Sequence, residues 1–348
     1  MSGIVLSFIV PAYNSASSLK RCLDSFLVPE LFKRIEILIV NDGSTDDTEK
    51  IAASYIEKYS CFRLHNKVNG GHGSVINQAV NIINGKYFKV IDSDDWVKTE
   101  NLKTFISALE AYNADVFFTH FRTIDSRNGY KREYRAKNII FGQPYSFDDY
   151  WLEKQNIFQT CCFHGICYKT EFYRSCRISL SEGVSYEDQE YSTLPFAKVK
   201  SVVPLDIFIY EYSIGSPEQS MSDENQVKRL AQREQVFWKL LEASSSKLTE
   251  TASDYFMFKT REFLLGFFMA ALMKNPDKPK GRATARKLRH DIKERGADAL
   301  LKASYKPYAI CLIISYLGRF ADAFMELRRI NVIRKLALHI RGGGNKTK

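Results

Sequence analysis

The sequence predicts an α/β protein: a doubly wound parallel sheet with a helical extension at its C-terminal end. Three observations carry this. Short, almost wholly apolar runs alternate with helical segments, as strands buried on both faces of a parallel sheet require. Polar residues gather just after those runs, at the carboxyl ends of strands, where open parallel sheets bind ligands. After Glu224 the pattern changes to long amphipathic helices rich in Lys and Arg.

The elements follow in order. "IVLSFIVPAYN" reads as a first buried strand, and Asn14 and Ser15 offer N-cap chemistry for a helix over about residues 17–27. "RIEILIV" is the second strand. The chain turns at Asp42–Gly43 into a helix capped by Thr45 or Asp46, with Asp47 and Glu49 suited to its first turn. "CFRLHN" is the third strand. "NGGHGSVINQAVNII" gives a glycine-rich turn and a helix from Ser74, and "KYFKVI" is the fourth strand. A helix from Asn101 to about Tyr112 and the strand "ADVFFTHFR" come next. Residues 120–215 alternate aromatic and polar groups less regularly, as in an α+β extension. The β-α-β-α-β-α-β order implies right-handed crossovers and a parallel sheet. A domain boundary is expected near 224, separating 1–224 from a basic, mainly helical 225–348 that is broken at "PDKPK" and at Lys306–Pro307.

A chain of 348 residues suffices for a full core and two domains. The net charge of +10 is uneven: residues 251–348 hold 21 Lys and Arg against 8 Asp and Glu. That asymmetry suits an anionic partner or a solvated helical surface. Seven cysteines without framework spacing fit a reducing, cytoplasmic setting. "CCFHGIC" lacks the second ligand pair a zinc site wants, so buried thiols are expected there. Met1–Phe8 is too short for a secretory leader. The apolar runs Phe263–Met273 and Tyr308–Leu317 fall short of the roughly 20 residues that span a bilayer. In the last helix, Phe320, Phe324, Leu327, Ile330, Ile333 and Leu336 share one face beside Arg328, Arg329, Arg334 and Lys335. This suits peripheral contact with an anionic membrane, or packing on the chain's own domain or on another subunit of a homo-oligomer.

Asp92, Asp94 and Asp95 fall within four positions in "VIDSDDW". Their mutual repulsion raises each pKa. A hard divalent ion, Mg²⁺ or Mn²⁺, removes the repulsion, and substrate phosphates commonly fill its other positions. The alternative is a helix N-cap supplied by Asp94 or Asp95 ahead of Trp96.

"FIVPAYN", "VNDGSTDDT", "NGGHGSVINQAV" and "VIDSDDW" occur in this order within one hundred residues. The combination resembles the inverting family 2 glycosyltransferases of the GT-A fold, of the bacterial polysaccharide type, over about residues 4–225. The resemblance implies nucleotide binding by Pro11, Ala12, Tyr13, Asn14 and Asp42, with Asp42 on a uracil-type base. It puts Asp92 and Ser93 near ribose and donor sugar, makes Asp94 the leading metal ligand and Asp95 the second, and brings Gly71 and His72 to a phosphate or the sugar. Lys67 and Asn77 are weaker candidates for the same pocket. It carries the general base to Asp188 in "LSEGVSYEDQEYSTLPF", with Glu187 bonding neighbouring groups or the acceptor. An unperturbed aspartate, pKa near 3.9, is only a modest base. The segment "YEYSIGSPEQSMS" resembles the family's closing loop, with Gln219 and Ser220 as donor-covering candidates, but Glu211 stands where an arginine is usual. Trp96 and Trp151 could stack on sugars, though buried aromatics are commoner than sugar platforms, and His164 is a candidate on the acceptor side.

The implied function is metal-dependent transfer of a sugar from a nucleotide diphosphate, UDP above others, to a hydroxyl of a glycan or lipid-linked acceptor by single displacement. Transfer to a lipid phosphate is the nearer alternative, and the acidic base motif argues against it. A nucleotidyltransferase would show a basic glycine-rich signature near the first strand, which "PAYNSASS" lacks. A non-catalytic nucleic-acid-binding protein is suggested only by the basic end.

Overall fold

The computed structural model describes residues 3–152, 161–215 and 223–317. Its strands are β1 (Leu6–Ala12), β2 (Ile35–Asn41), β3 (Phe62–Asn66), β4 (Tyr87–Val90), β5 (Trp96–Val97), β6 (Val116–Asp125), β7 (Lys131–Tyr134), β8 (Tyr145–Ser146), β9 (Ile166–Lys169) and β10 (Ser201–Ile214). They form one sheet in the order β3-β2-β1-β4-β9-β6-β10-β5, with β7 on β6 and β8 on β10. The first four strands are parallel, as their buried, apolar sequences require.

The sheet as a whole is mixed, which corrects the expectation of an all-parallel sheet. β9 runs antiparallel to both β4 and β6. A parallel neighbour needs a crossover connection, usually a helix. β9 is instead entered from a short 3₁₀ turn, Phe163–Gly165.

Local chemistry explains two further differences. The first helix is only Leu19–Asp24, because the Ser25 hydroxyl bonds back to the Cys22 carbonyl at 2.6 Å and Pro29 follows. The third helix starts at His72, with Gly71 as N-cap in the left-handed region at φ 83°. The Gly-rich turn therefore passes directly into helix, and His72 sits at its first position.

Two compact units are present: Met1–Ser220 with Gln232–Thr260, and Met221–Ala231 with Arg261–Lys348. The division does not follow a single cut near 224. Residues 232–260 return to the first unit because specific polar contacts hold them there. Lys239 Nζ lies 2.7 Å from buried Glu190, Trp151 Nε1 donates to Asp254 at 2.8 Å, and Tyr255 Oη donates to the Ser192 carbonyl at 2.6 Å.

In the second unit, a π-helical turn (Met269–Lys274) precedes the helices Lys278–Glu294 and Asp298–Tyr316. Asp277 caps the former by accepting from Lys280 N at 2.9 Å. Gly281 is required there, since a Cβ would fall 1.9 Å from the Ala271 carbonyl oxygen. The expected break at Lys306–Pro307 does not occur. Pro307 lies inside a continuous helix, and the carbonyl it leaves without a donor belongs to exposed Ala303. Among the described residues no helix is long and apolar enough to cross a membrane. The last helix read from the sequence lies outside them.

Candidate active site

The site begins at the carboxyl ends of β1, β2 and β4. Pro11 and Ala12 are buried in β1, while Tyr13 and Asn14 reach the surface. Asn14 adopts φ 48°, a left-handed conformation that asparagine tolerates better than most residues. Its Oδ1 accepts from Thr45 N at 2.8 Å, which ties the end of β1 to the loop after β2. Ser93 is buried, and its hydroxyl pairs with that of Ser15 at 2.7 Å. It braces the aspartate turn against β1.

Asp42 is buried at the end of β2 and collects three donors. Lys67 Nζ (2.6 Å) and Gly70 N (3.0 Å) reach Oδ1, and Gly71 N (2.8 Å) reaches Oδ2. The carboxylate therefore orders the glycine loop, and Lys67 is committed to it. The loop in turn rests on residues 181–183. Gly183 N donates to Gly70 O at 2.8 Å, and a Cβ on Gly73 would fall 2.2 Å from Ser181 O. Asn77 brackets the same segment, donating to Leu180 O at 2.9 Å and accepting from Leu180 N at 2.8 Å.

This docking aims His72 between two carboxylates. Its Nδ1 lies 2.6 Å from Glu187 Oε1 and its Nε2 lies 2.9 Å from Asp92 Oδ1. A carboxylate can only accept, so both ring nitrogens donate and the ring is an imidazolium. Burial opposes that charge, but the bonds to Asp92 and Glu187 outweigh it and hold the His72 pKa well above its ordinary value. Burial likewise opposes ionised Asp92, and the His72 bond and charge keep its pKa below normal.

The three aspartates have separate surroundings. Asp95 is fully buried; Tyr210 Oη donates to it at 2.6 Å and Ser213 N at 2.7 Å. Burial, then the charges of Asp94 and Asp92, hold its pKa well above the usual range. Asp94 is the exposed member of the three. Desolvation by the surrounding turn and the charge of Asp92 push its pKa up to about 6, against relief from its own backbone N–H, Arg21 and His72. Ligand atoms of Asp92, Asp95 and His164 lie within 4.8 Å of one another.

His164 stacks on Tyr212 at 4.4 Å and meets Tyr210 edge-on at 4.7 Å. Burial brings its pKa down to about 4, so the ring is neutral at pH 7 and able to ligate. It thus stands beside Asp92 and Asp95. The chemistry fits a divalent cation: two carboxylates, one kept ionised by His72 and one held protonated by burial and its acidic neighbours, plus a neutral imidazole. The neighbouring thiols Cys161, Cys162 and Cys167 are held protonated by burial.

The acidic pair heads the short helix Glu187–Tyr191. Tyr186 ahead of it has φ 77°, a costly conformation for a bulky residue, and the Arg233 guanidinium covers its ring at 4.4 Å. Glu187 points to His72. Asp188 does not: its side-chain partner is Gln189 Nε2 at 2.8 Å. Burial, then the charge of Glu187, push Asp188 up to about 6, against partial relief from Gln189, Lys259 and His72. The half-buried carboxylate is a stronger base than the unperturbed value of the sequence reading implied.

Other expectations resolve differently. Trp151 is core, bonded to Asp254. Trp96 has one face covered by Arg21, whose guanidinium lies 4.0 Å above it and donates to Asp94 O at 2.6 Å. Glu211 is buried and receives both Nε contacts from Arg122 at 2.7 Å, its register neighbour on β6, so no free cation stands where an arginine is usual. Gln219 and Ser220 lie outside the described residues. Arg21 had no motif to mark it, being a lone cation on the first helix; Tyr210 opened the loop motif, but nothing in the sequence tied it to Asp92 and Asp95.

Residues 7–176 match the model of glycosyl transferase family 2. Glycosyltransferase GlyA of Streptococcus pneumoniae serotype 4 is 26% identical over 214 residues, 60% of this chain and 30% of that protein. GlyG of the same strain is 30% identical over 126 residues, 36% of this chain and 42% of that protein. The chain thus spans well under half of these curated relatives. Among solved structures, S. aureus TarS 1–349 in complex with UDP-GlcNAc superposes with a TM-score of 0.59 at 18% identity, covering 85% of this chain and 92% of that one. A Pyrobaculum calidifontis mannosyltransferase in complex with GDP-Man and Mn²⁺ gives 0.50 at 16%, covering 91% and 87%. With the four motifs at the strand ends, these matches identify the chain as the bearer of a family 2 glycosyl transferase domain of the GT-A fold.

Proposed function

We propose that the protein moves a sugar from a UDP-sugar to a hydroxyl of a glycan or lipid-linked acceptor, inverting the anomeric centre in a single displacement, at the cytoplasmic face of the membrane. The observation that carries this is the Asp92–His72–Glu187 bridge, 2.9 and 2.6 Å, which ties the donor turn to the helix holding Asp188. Asp188, with its pKa raised to about 6, takes the proton of the acceptor hydroxyl as that oxygen attacks.

Asp92, Asp95 and His164, whose ligand atoms converge, would hold Mg²⁺ or Mn²⁺, with Asp94, which lies outside that group, as a further carboxylate from the same turn. When bound, that ion offsets charge on the departing diphosphate. Arg21 lies against the same turn and adds a fixed positive charge. Exposed Tyr13 has a ring face available to a nucleobase. Asp42, which accepts from Lys67, Gly70 and Gly71, would meet the N3–H of uracil through Oδ2, the oxygen with a single donor. TarS was solved with a UDP-sugar and the mannosyltransferase with a GDP-sugar and Mn²⁺, so this fold accommodates either base. A carboxylate at the base would favour uracil. The hydroxyl acceptor is preferred over a phosphate because a phosphate oxygen needs no base.

A screen of nucleotide-sugars with Mn²⁺ or Mg²⁺, following nucleoside diphosphate release, tests this. A UDP-sugar is expected to be consumed and EDTA to stop turnover. Exclusive use of another nucleotide, or full activity in EDTA, contradicts the donor or metal assignment.

A further inference from the structure

The Asp298–Tyr316 helix is buried on one side only, through Leu301, Ser304, Tyr308, Cys311 and Ser315. At about 100° per residue, its opposite face carries Lys302, Tyr305, Lys306, Ile310, Ile313 and Tyr316, followed by Leu317. Tyr305 is 59% exposed, Ile313 59%, Tyr316 63% and Leu317 53%. Charge and apolarity separate along the axis: the lysines come first and the large apolar groups last. Contiguous exposed apolar surface of this kind marks an interaction site.

Beside the lysine end, a cavity of about 380 Å³ is lined by Arg289, Lys293, Asp298, Leu301, Lys302 and Tyr305. It holds three cations against one carboxylate. Arg289 lies 4.1 Å over the Tyr308 ring, and its Nη1 is buried without an acceptor among the described residues. The ion pairs of this unit employ Lys228, Arg261 and Lys274, and leave Lys293 and Lys302 unpaired among the described residues. At the apolar end, Arg282 covers the Tyr316 ring at 4.2 Å.

We infer that this face of the second unit docks on an anionic lipid bilayer. Lipid phosphates meet the Arg289–Lys293–Lys302 groove, while Ile313, Tyr316 and Leu317 enter the headgroup–acyl boundary. The chemistry chooses the occupant. A nucleic acid or acidic peptide would match the cations and leave the apolar end in water. A second copy of the same face would set lysine against lysine if parallel, and would bury lysines against Ile313 and Tyr316 if antiparallel. A bilayer with anionic headgroups satisfies both ends, with tyrosines at the interface where they are favoured. The inference stands whether or not the first unit transfers a sugar.

Sedimentation of the full chain with sucrose-loaded vesicles tests it, comparing phosphatidylcholine alone with a mixture containing phosphatidylglycerol. Binding is expected only to the mixture and is expected to weaken with salt. Lys293→Glu with Lys302→Glu should reduce partitioning at least about twenty-fold, each cation being worth roughly five-fold at such a surface. Ile313→Ser with Tyr316→Ser should reduce it about ten-fold or more. Far-UV dichroism and Tm establish that both variants are folded. A charge-matched control in the first unit, Lys33→Glu with Lys58→Glu, should bind as wild type. Absence of binding, equal binding to neutral vesicles, wild-type binding by both double variants, or an equal loss in the control each overturns the inference. So does a dimer that Ile313→Ser with Tyr316→Ser dissociates.

Discussion

Replacing Asp188 with asparagine removes a proton acceptor while keeping the shape of the side chain. The structure fixes what its loss, and its titration, should look like. With a pKa of about 6, the carboxylate is roughly 90% ionised at pH 7 and roughly 10% at pH 5. An unperturbed aspartate would still be about 93% ionised at pH 5. The rate should therefore fall about nine-fold between pH 7 and pH 5, on a limb centred near 6. Asp94 also titrates near 6, so the profile is measured at saturating Mn²⁺, where the bound cation suppresses that protonation. Asp188→Asn should lower kcat by about 10²–10⁴, the range for loss of a general base, and abolish the limb. Stability moves the other way. Because the folded pKa is raised, the cost of keeping Asp188 ionised is absent below about pH 4 and complete above about pH 6. The asparagine variant should thus melt no lower than wild type at pH 7. Near-normal kcat in Asp188→Asn, or a wild-type limb near pH 4, refutes the assignment.

The remaining expectations concern the metal turn and the bridge. Asp94→Ala should reduce turnover at least a hundred-fold and remove the rise in Tm that Mn²⁺ gives the wild type, read by thermal melting with and without EDTA. Metal affinity, measured by calorimetry, should weaken as pH falls below 6, because protons compete for the Asp94 carboxylate. His72→Gln loses the charge and one of the two bonds of the bridge. It should cut kcat about a hundred-fold and move the acid limb upward, since His72 lowers the Asp188 pKa. Gly73→Ala forces a methyl to within 2.2 Å of the Ser181 carbonyl. It should cost about 2 kcal/mol or more in a denaturant titration, with Ser74→Ala as the milder comparison.

Legibility followed how local the physics was. The first four strands announced themselves because burial on both faces demands unbroken apolar sequence, and the loops at their carboxyl ends stood out as polar interruptions. β9 gave no such sign: whether a short apolar segment such as "ICYK" pairs parallel or antiparallel depends on how the chain returns to the sheet. At the site, the aspartate cluster was visible as a local excess of like charge. The partner that relieves it was not. His72 meets Glu187 across 115 positions, a closeness produced by the docking of Gly73 against Ser181. The pKa of Asp188 was likewise out of reach, because it comes from burial and from the Glu187 charge within a folded cleft. Pro307 shows the converse: a residue that reads as a breaker stays helical where the carbonyl it leaves unbonded faces water.

The central claim is that one carboxylate takes the acceptor proton while charge grows on the opposite face of the sugar. Proton NMR of the product formed from an α-linked UDP-sugar tests it most directly, through the anomeric coupling constant read before any equilibration. A β-linked product is expected, formed without a glycosyl-enzyme intermediate. An α-linked product would contradict it.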